Sequence, residues 1–251
     1  MDITDDRSGT VDDTFAASPS PRDRILRAAA LLLAEGGREA VSTRGVSTAA
    51  GVQPPTIYRQ FGDMRGLLDA VVEDGFTRYL RGKVARANTT DPVADLRAGW
   101  DIHISFGLAN PALYALMYGD PRPGTMPRAA VEAYAILEAL VGRVAAAGRL
   151  RVGVGRATRL IHAAGVGVVL TLIAVEAAHR DLDVATLTRE ATLAAITTDT
   201  PTGEANTPVE LDRAAGYAIA LKAVLPEASA AFTPAERGLL AEWLNRLSQE
   251  A

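Results

Sequence analysis

Apolar residues return at three- and four-residue spacing along almost the whole of this 251-residue chain, and strand-like alternation is scarce. That period gathers apolar side chains into one stripe of a helix, so the sequence predicts an all-α protein. Hydrophobic residues make up 48% of the chain, enough for one large helical domain or a small domain joined to a larger one. The chain contains no cysteine, which excludes disulfides and thiolate metal sites. Its three histidines, His103, His162 and His179, are too far apart for the short spacings of a zinc site. No metal and no cofactor are expected.

Punctuation residues divide the pattern into helices. Pro21 suits a first turn, and Gly36-Gly37 ends the first helix, over 21–35. Ser42 is an N-cap for a second helix that buries Val46, Ala49 and Ala50 and stops at Gly51. A third covers 54–60. Asp63 caps a longer one that fades near 87–88. Asp91-Pro92 restarts the chain up to Asn110-Pro111, and a short helix follows through Leu113 to Tyr118. The segment 119–124 is turn-rich. Helices are then expected over 127–147, 156–179 and 184–197. After a polar linker at 198–207, two last helices fall at 209–225 and 234–247, the second with a Thr233/Glu236 capping box.

Residues 1–20 hold five aspartates against Arg7 alone, which reads as a disordered acidic tail rather than a secretory signal. The longest apolar run, 165–178, is too short to span a bilayer. A soluble cytoplasmic protein is expected, with no membrane partner. Net charge is −4, yet residues 21–65 carry seven arginines against four acids. A locally basic module in an acidic chain can still meet phosphates.

The stretch Gly51-Val52-Gln53-Pro54-Pro55-Thr56-Ile57-Tyr58-Arg59-Gln60-Phe61-Gly62-Asp63 holds a helix too short to persist alone in water. A short helix, a tight turn through glycine and a second short helix make a helix-turn-helix. Ile57 and Phe61, four apart, can pack inward with Val46 and Ala50. Gln53, Pro54, Pro55, Thr56, Arg59 and Gln60 then face away toward base edges, with the Tyr58 hydroxyl at the side. Prolines in the first turn lose no helical hydrogen bond but remove amides that could hold an anion. Phosphate contacts are therefore expected from Tyr58, Thr43, Arg44 and the helix start capped by Asp63.

Residues 22–70 resemble the DNA-binding domain of the TetR family of transcriptional regulators. The matching residues are Ile25-Leu26-x-Ala28-Ala29, Leu33-Ala34-Glu35-x-Gly37, Gly51-Val52, Thr56-Ile57-Tyr58-Arg59-x-Phe61 and Leu67-Leu68. The resemblance implies that 54–60 is the recognition helix and that Tyr58 holds a phosphate. The family commonly has a lysine where Met64 stands and an acidic residue where Gly45 sits. Farther on, Trp100, His103 and Gly107 share a helix face ahead of Asn110-Pro111-Ala112-Leu113-Tyr114-Ala115-Leu116-Met117-Tyr118-Gly119. These resemble the Trp-His-Gly type of C-terminal ligand-binding domain. Trp100, Phe106, Tyr114, Met117 and Tyr118 would wall an effector pocket, with His103 and His162 offering polar contacts.

The helix at 156–179 is apolar nearly all round, and Gly165 and Gly167 would let another helix come close. Relatives dimerise through a four-helix bundle, so a homodimer is implied, the second helix being 209–225 or 234–247. The expected organisation is a tail at 1–20, a helix-turn-helix domain at 21–68, and a ligand-binding and dimerisation domain at 69–251. No catalytic constellation or dinucleotide fingerprint is present. The expectation is a repressor released from palindromic double-stranded operator DNA by a small, largely apolar effector. The alternative is a dimeric helical small-molecule-binding protein with weakened or lost DNA binding.

Overall fold

A computed structural model describes residues 19–83, 89–119, 126–198, 210–226 and 232–249. The acidic tail up to residue 18, the fading end of the fourth helix, most of the 119–124 turn and nearly all of the 198–207 linker lie outside the described residues. The architecture is all-α. In chain order the helices are α1 (Pro21–Ala40), α2 (Thr43–Ala50), α3 (Pro54–Phe61), α4 (Met64–Lys83), α5 (Pro92–Ala109), α6 (Pro111–Tyr118), α7 (Arg128–Ala146), α8 (Val154–Ile173), α9 (Asp183–Ile196), α10 (Glu210–Val224) and α11 (Pro234–Gln249). The β contribution among the described residues is one isolated bridge, Leu150 to Thr197.

Capping chemistry sets the helix starts. Ser20 and Asp23 form a reciprocal capping box on α1. Ser42 Oγ accepts the Gly45 amide at the head of α2, and Gly51 closes α2 in the left-handed region at φ 62°. Asp91 caps α5 through the Val93 amide, and Thr233 and Glu236 exchange hydrogen bonds at the head of α11. The end of α1 differs from expectation: Gly37 leaves helical geometry at φ 65°, but a further turn carries the element to Ala40.

Two buried clusters organise the molecule. The first joins α1 to α4 through Ile25, Leu33, Val46, Ile57, Leu67 and Val71. The second begins one residue later, at Val72 on the same helix, and continues through α5–α9 to Ile219 of α10. The helix α4 thus belongs to both. Ala49, expected inside, is exposed, and Ser47 is the buried α2 residue in its place. Acid–base pairs tie the second unit together. Arg97 and Arg189 both reach Glu190, while Arg143 holds Asp95 and Arg149 holds Asp91.

The apolar run expected as one helix over 156–179 starts two residues earlier and ends at Ile173. Beyond it, Arg180 Nε donates to the Val175 carbonyl at 3.1 Å, and 177–179 form a separate 3-10 turn. Arg180 thus satisfies a carbonyl just past the helix end, inside the stretch that the apolar pattern alone would keep helical. Among the described residues α8 is the helix long and apolar enough, by length and composition, to cross a membrane. One side of it packs on α5, α7 and α9. Gly165 faces inward: a Cβ there would come within 3.3 Å of the His103 ring, so this glycine admits α5. Gly167 faces outward. Helix α11 pairs with α10, and α10 lies over α7, so the long neighbour of α8 is α9.

Candidate nucleic-acid interface and effector cluster

Helix α3 is held from behind. Ile57 is fully buried, and Phe61 is half-buried with the Arg22 guanidinium 5.2 Å above its ring. The tight connection to α4 requires Gly66, because a Cβ there would stand 2.2 Å from the Phe61 carbonyl oxygen. Gln53, Pro54, Pro55, Tyr58, Arg59 and Gln60 are exposed together, while Thr56 is half-buried. Its hydroxyl is therefore less free to meet a base than its position in the sequence suggests.

Thr43 and Tyr58 meet across the turn. Their hydroxyls are 3.0 Å apart, and Tyr58 remains 45% exposed. Arg44 is exposed beside them. At the head of α4 the Gly66 amide is already taken by Asp63 Oδ1 at 2.7 Å, so that helix start offers an incoming phosphate less than expected. Met64 is half-buried against the first core, and a Cβ at Gly45 would press on Ser42 Oγ and the Ala40 carbonyl at 3.2 and 3.3 Å. The fold itself thus leaves little space beyond a hydrogen at Gly45.

The second constellation lies inside the larger unit. Tyr114 Oη and His103 Nε2 share a hydrogen bond of 2.8 Å. The rings continue as a chain: Tyr114 to Tyr118 at 4.8 Å, Tyr118 to His162 at 5.5 Å, and His162 to Tyr134 at 5.3 Å. Phe106 lies on the far side of Tyr114 and packs edge-on to Phe76 at 5.5 Å. Trp100 and Met117 are buried in the same cluster, and Trp100 Nε1 has no hydrogen-bond partner among the described residues. Gly107 permits the crossing of α5 and α8, since a Cβ there would lie 2.2 Å from Val169 Cγ1.

Burial sets the protonation states. Desolvation, aided by His162, lowers His103 from 6.5 to about 4, so its ring is neutral. Desolvation also lowers His162, pushes Tyr118 up to about 12 and raises Tyr114 further. The cluster therefore presents neutral aromatic and hydrogen-bonding groups. All seven residues expected for an effector pocket fall in or against it. Tyr134 was missed: it stands alone on an alanine-rich helix with no aromatic at helical spacing to signal it.

Residues 25–71 match the family described as "Bacterial regulatory proteins, tetR family". The sequence matches no curated protein. Among solved structures, the chain resembles a protein of unknown function from Rhodococcus sp. RHA1, at 26% identity and a TM-score of 0.60, with 74% of this chain and 100% of that one covered. It also resembles a putative TetR family transcriptional regulator from Vibrio parahaemolyticus, at 26% identity and a TM-score of 0.51, covering 71% and 99%. A TetR variant from Acinetobacter baumannii in complex with minocycline shares 21% identity, a TM-score of 0.52 and coverage of 68% and 93%. The fold is therefore TetR-like, a helix-turn-helix domain of the tetR family followed by a larger helical domain.

Proposed function

We propose that the chain is a ligand-responsive, DNA-binding transcriptional regulator, acting in the cytoplasm as a homodimeric repressor on a roughly palindromic operator. The observation that carries this is the outer side of α3. Six residues that can meet base edges or phosphates are exposed on a helix whose inner anchor, Ile57, is fully buried. Two copies related by a two-fold axis would place two such helices about one DNA turn, or a small multiple of it, apart. The units divide at 21–68 and 69–251, with α4 shared between them.

Dimerisation would use α8 and α9. Leu160, Ala163, Gly167 and Thr171 form an exposed line on α8, and Leu187 and Ala191 continue the apolar surface on α9. Leu187 is 70% exposed, which suits a partner copy better than solvent.

The effector, small and largely apolar, would be held by Trp100, His103, Phe106, Tyr114, Met117, Tyr118 and His162. Helix α6 supplies the connection. Tyr114 and Met117 lie in the aromatic cluster, while Ala112, Leu113 and Leu116 pack on the first core beside α1 and α4. A molecule that binds better when α6 is displaced shifts the population away from the DNA-bound spacing, by no more than that difference in affinity.

Gel shift and salt titration on a palindrome beside the gene test the reading. Binding should weaken steeply with salt and disappear on adding the effector. A protein indifferent to every duplex is the second reading, a dimeric small-molecule-binding protein. It is favoured by one feature: Met64 is turned into the core where relatives place a lysine for the backbone.

A further inference from the structure

The hairpin of α10 and α11 closes a cleft over the start of α8, outside the aromatic cluster. The cleft holds about 300 Å³, the lower end of the range for small-molecule sites. Arg156 and Arg159 reach it from α8, Lys222 from α10, and Asn245 and Ser248 from α11. Every charged side chain that lines it is cationic. Among the described residues neither arginine has an ion-pair partner, and Lys222 donates to the Asn245 carboxamide oxygen.

From this convergence we infer that the cleft is a binding site for a small organic oxyanion, a carboxylate or phosphate on a short apolar body. Three like charges gathered from two helices repel one another, and an anion between them reverses the sign of that interaction. Arg156 and Arg159 are three residues apart and so share one side of α8. A Cβ on Gly155 would lie 3.5 Å from Arg159 Nη1, so the guanidinium folds back over the first turn of the helix. There a planar fork can grip an oxyanion in bidentate fashion. Gly153 has no side chain with which to cap that turn, so the Val154 and Gly155 amides add donors to the Asn245 carboxamide, while the Ser248 hydroxyl donates to the Asn245 backbone carbonyl and can meet the ligand only by giving up that bond.

The apolar body has a floor in Val154, Ile219 and Ala223. Ile219 belongs to the large core, so the ligand rests on the outer wall of the bundle. An occupant bonded to both α8 and the hairpin fastens the hairpin down. The site differs in chemistry from the neutral cluster around His103, and the two would take different molecules.

The test titrates the full chain at low ionic strength with hexanoate and with phenyl phosphate, by calorimetry and by amide chemical shifts. At least one probe should bind saturably, shift the Gly153 and Gly155 amides and weaken as salt rises. Whichever binds more tightly identifies the head group. Arg159→Gln with Lys222→Gln should weaken binding at least tenfold, while Arg38→Gln, at an exposed arginine of α1 remote from the cleft, leaves it unchanged. Absence of saturable binding by both probes overturns the inference, as does undiminished affinity in the double variant. Should that variant fail to fold, Arg159→Lys keeps the charge but loses the fork. It should bind several-fold more weakly, and equal affinity would also overturn the site.

Discussion

Two helices of this molecule, α3 and α6, are alike in outline and opposite in fate. Both have eight residues, both open on proline and both carry tyrosine. Neither is long enough to persist alone in water. Helix α3 sits on the surface of a small core and leaves Tyr58 45% exposed, its hydroxyl against Thr43. Helix α6 is wedged between two cores, and Tyr114 is fully buried with its hydroxyl on His103. The contrast teaches that the surroundings, rather than the local sequence, decide whether a tyrosine faces solvent or packs inside.

The strongest way to break the comparison is to remove the anchor behind α3. Ile57→Ala should destabilise the N-terminal unit by about 3 kcal/mol and abolish duplex binding, while the larger bundle keeps its helicity. Circular dichroism with a gel shift checks this, and retained binding would show that α3 does not depend on its inner residue.

Acid should act on the α6 side. A buried histidine whose value falls from 6.5 to about 4 contributes stability that is complete above pH 6.5. That contribution, about 3 kcal/mol at most, is lost progressively as pH drops toward 4. His103→Gln should flatten the fall in Tm between those two values; an unchanged slope would remove His103 as the cause.

Smaller effects separate the two tyrosines. Tyr58→Phe should weaken duplex binding by roughly tenfold and cost no more than about 0.5 kcal/mol of stability, since the bond it loses to Thr43 is solvent-exposed. Tyr114→Phe should do the reverse, lowering stability by about 1 kcal/mol and leaving duplex affinity in the absence of effector nearly intact. If both variants behaved alike, burial would not be what distinguishes the two helices.

Local chemistry was legible in the sequence, and distant contacts were not. Ser42, Asp91 and Thr233 announced their helices because a cap acts within three residues of itself. The inward turn of Ile57 followed from spacing alone. The end of α8 was misjudged because the apolar run continues past Ile173 into a segment that Arg180 and a 3-10 turn hold in another conformation. Gly165 does let another helix come close, but that this helix is α5 of the same chain was not legible, since only the crossing reveals which way the glycine faces. In the same way, Ala49 and Ser47 exchanged roles, a difference of half a turn that a short helix does not specify.

The hydroxyl pair at Thr43 and Tyr58 has one more implication. Two hydroxyls that share a hydrogen bond have two protons, and one of them is spent between the oxygens. The remaining proton is polarised by its neighbour, so the pair faces outward as one reinforced donor rather than two independent ones. Because the two oxygens come from α2 and α3, a group that takes that proton senses both helices at once, and loosening their packing would dull the donor before either side chain had moved far.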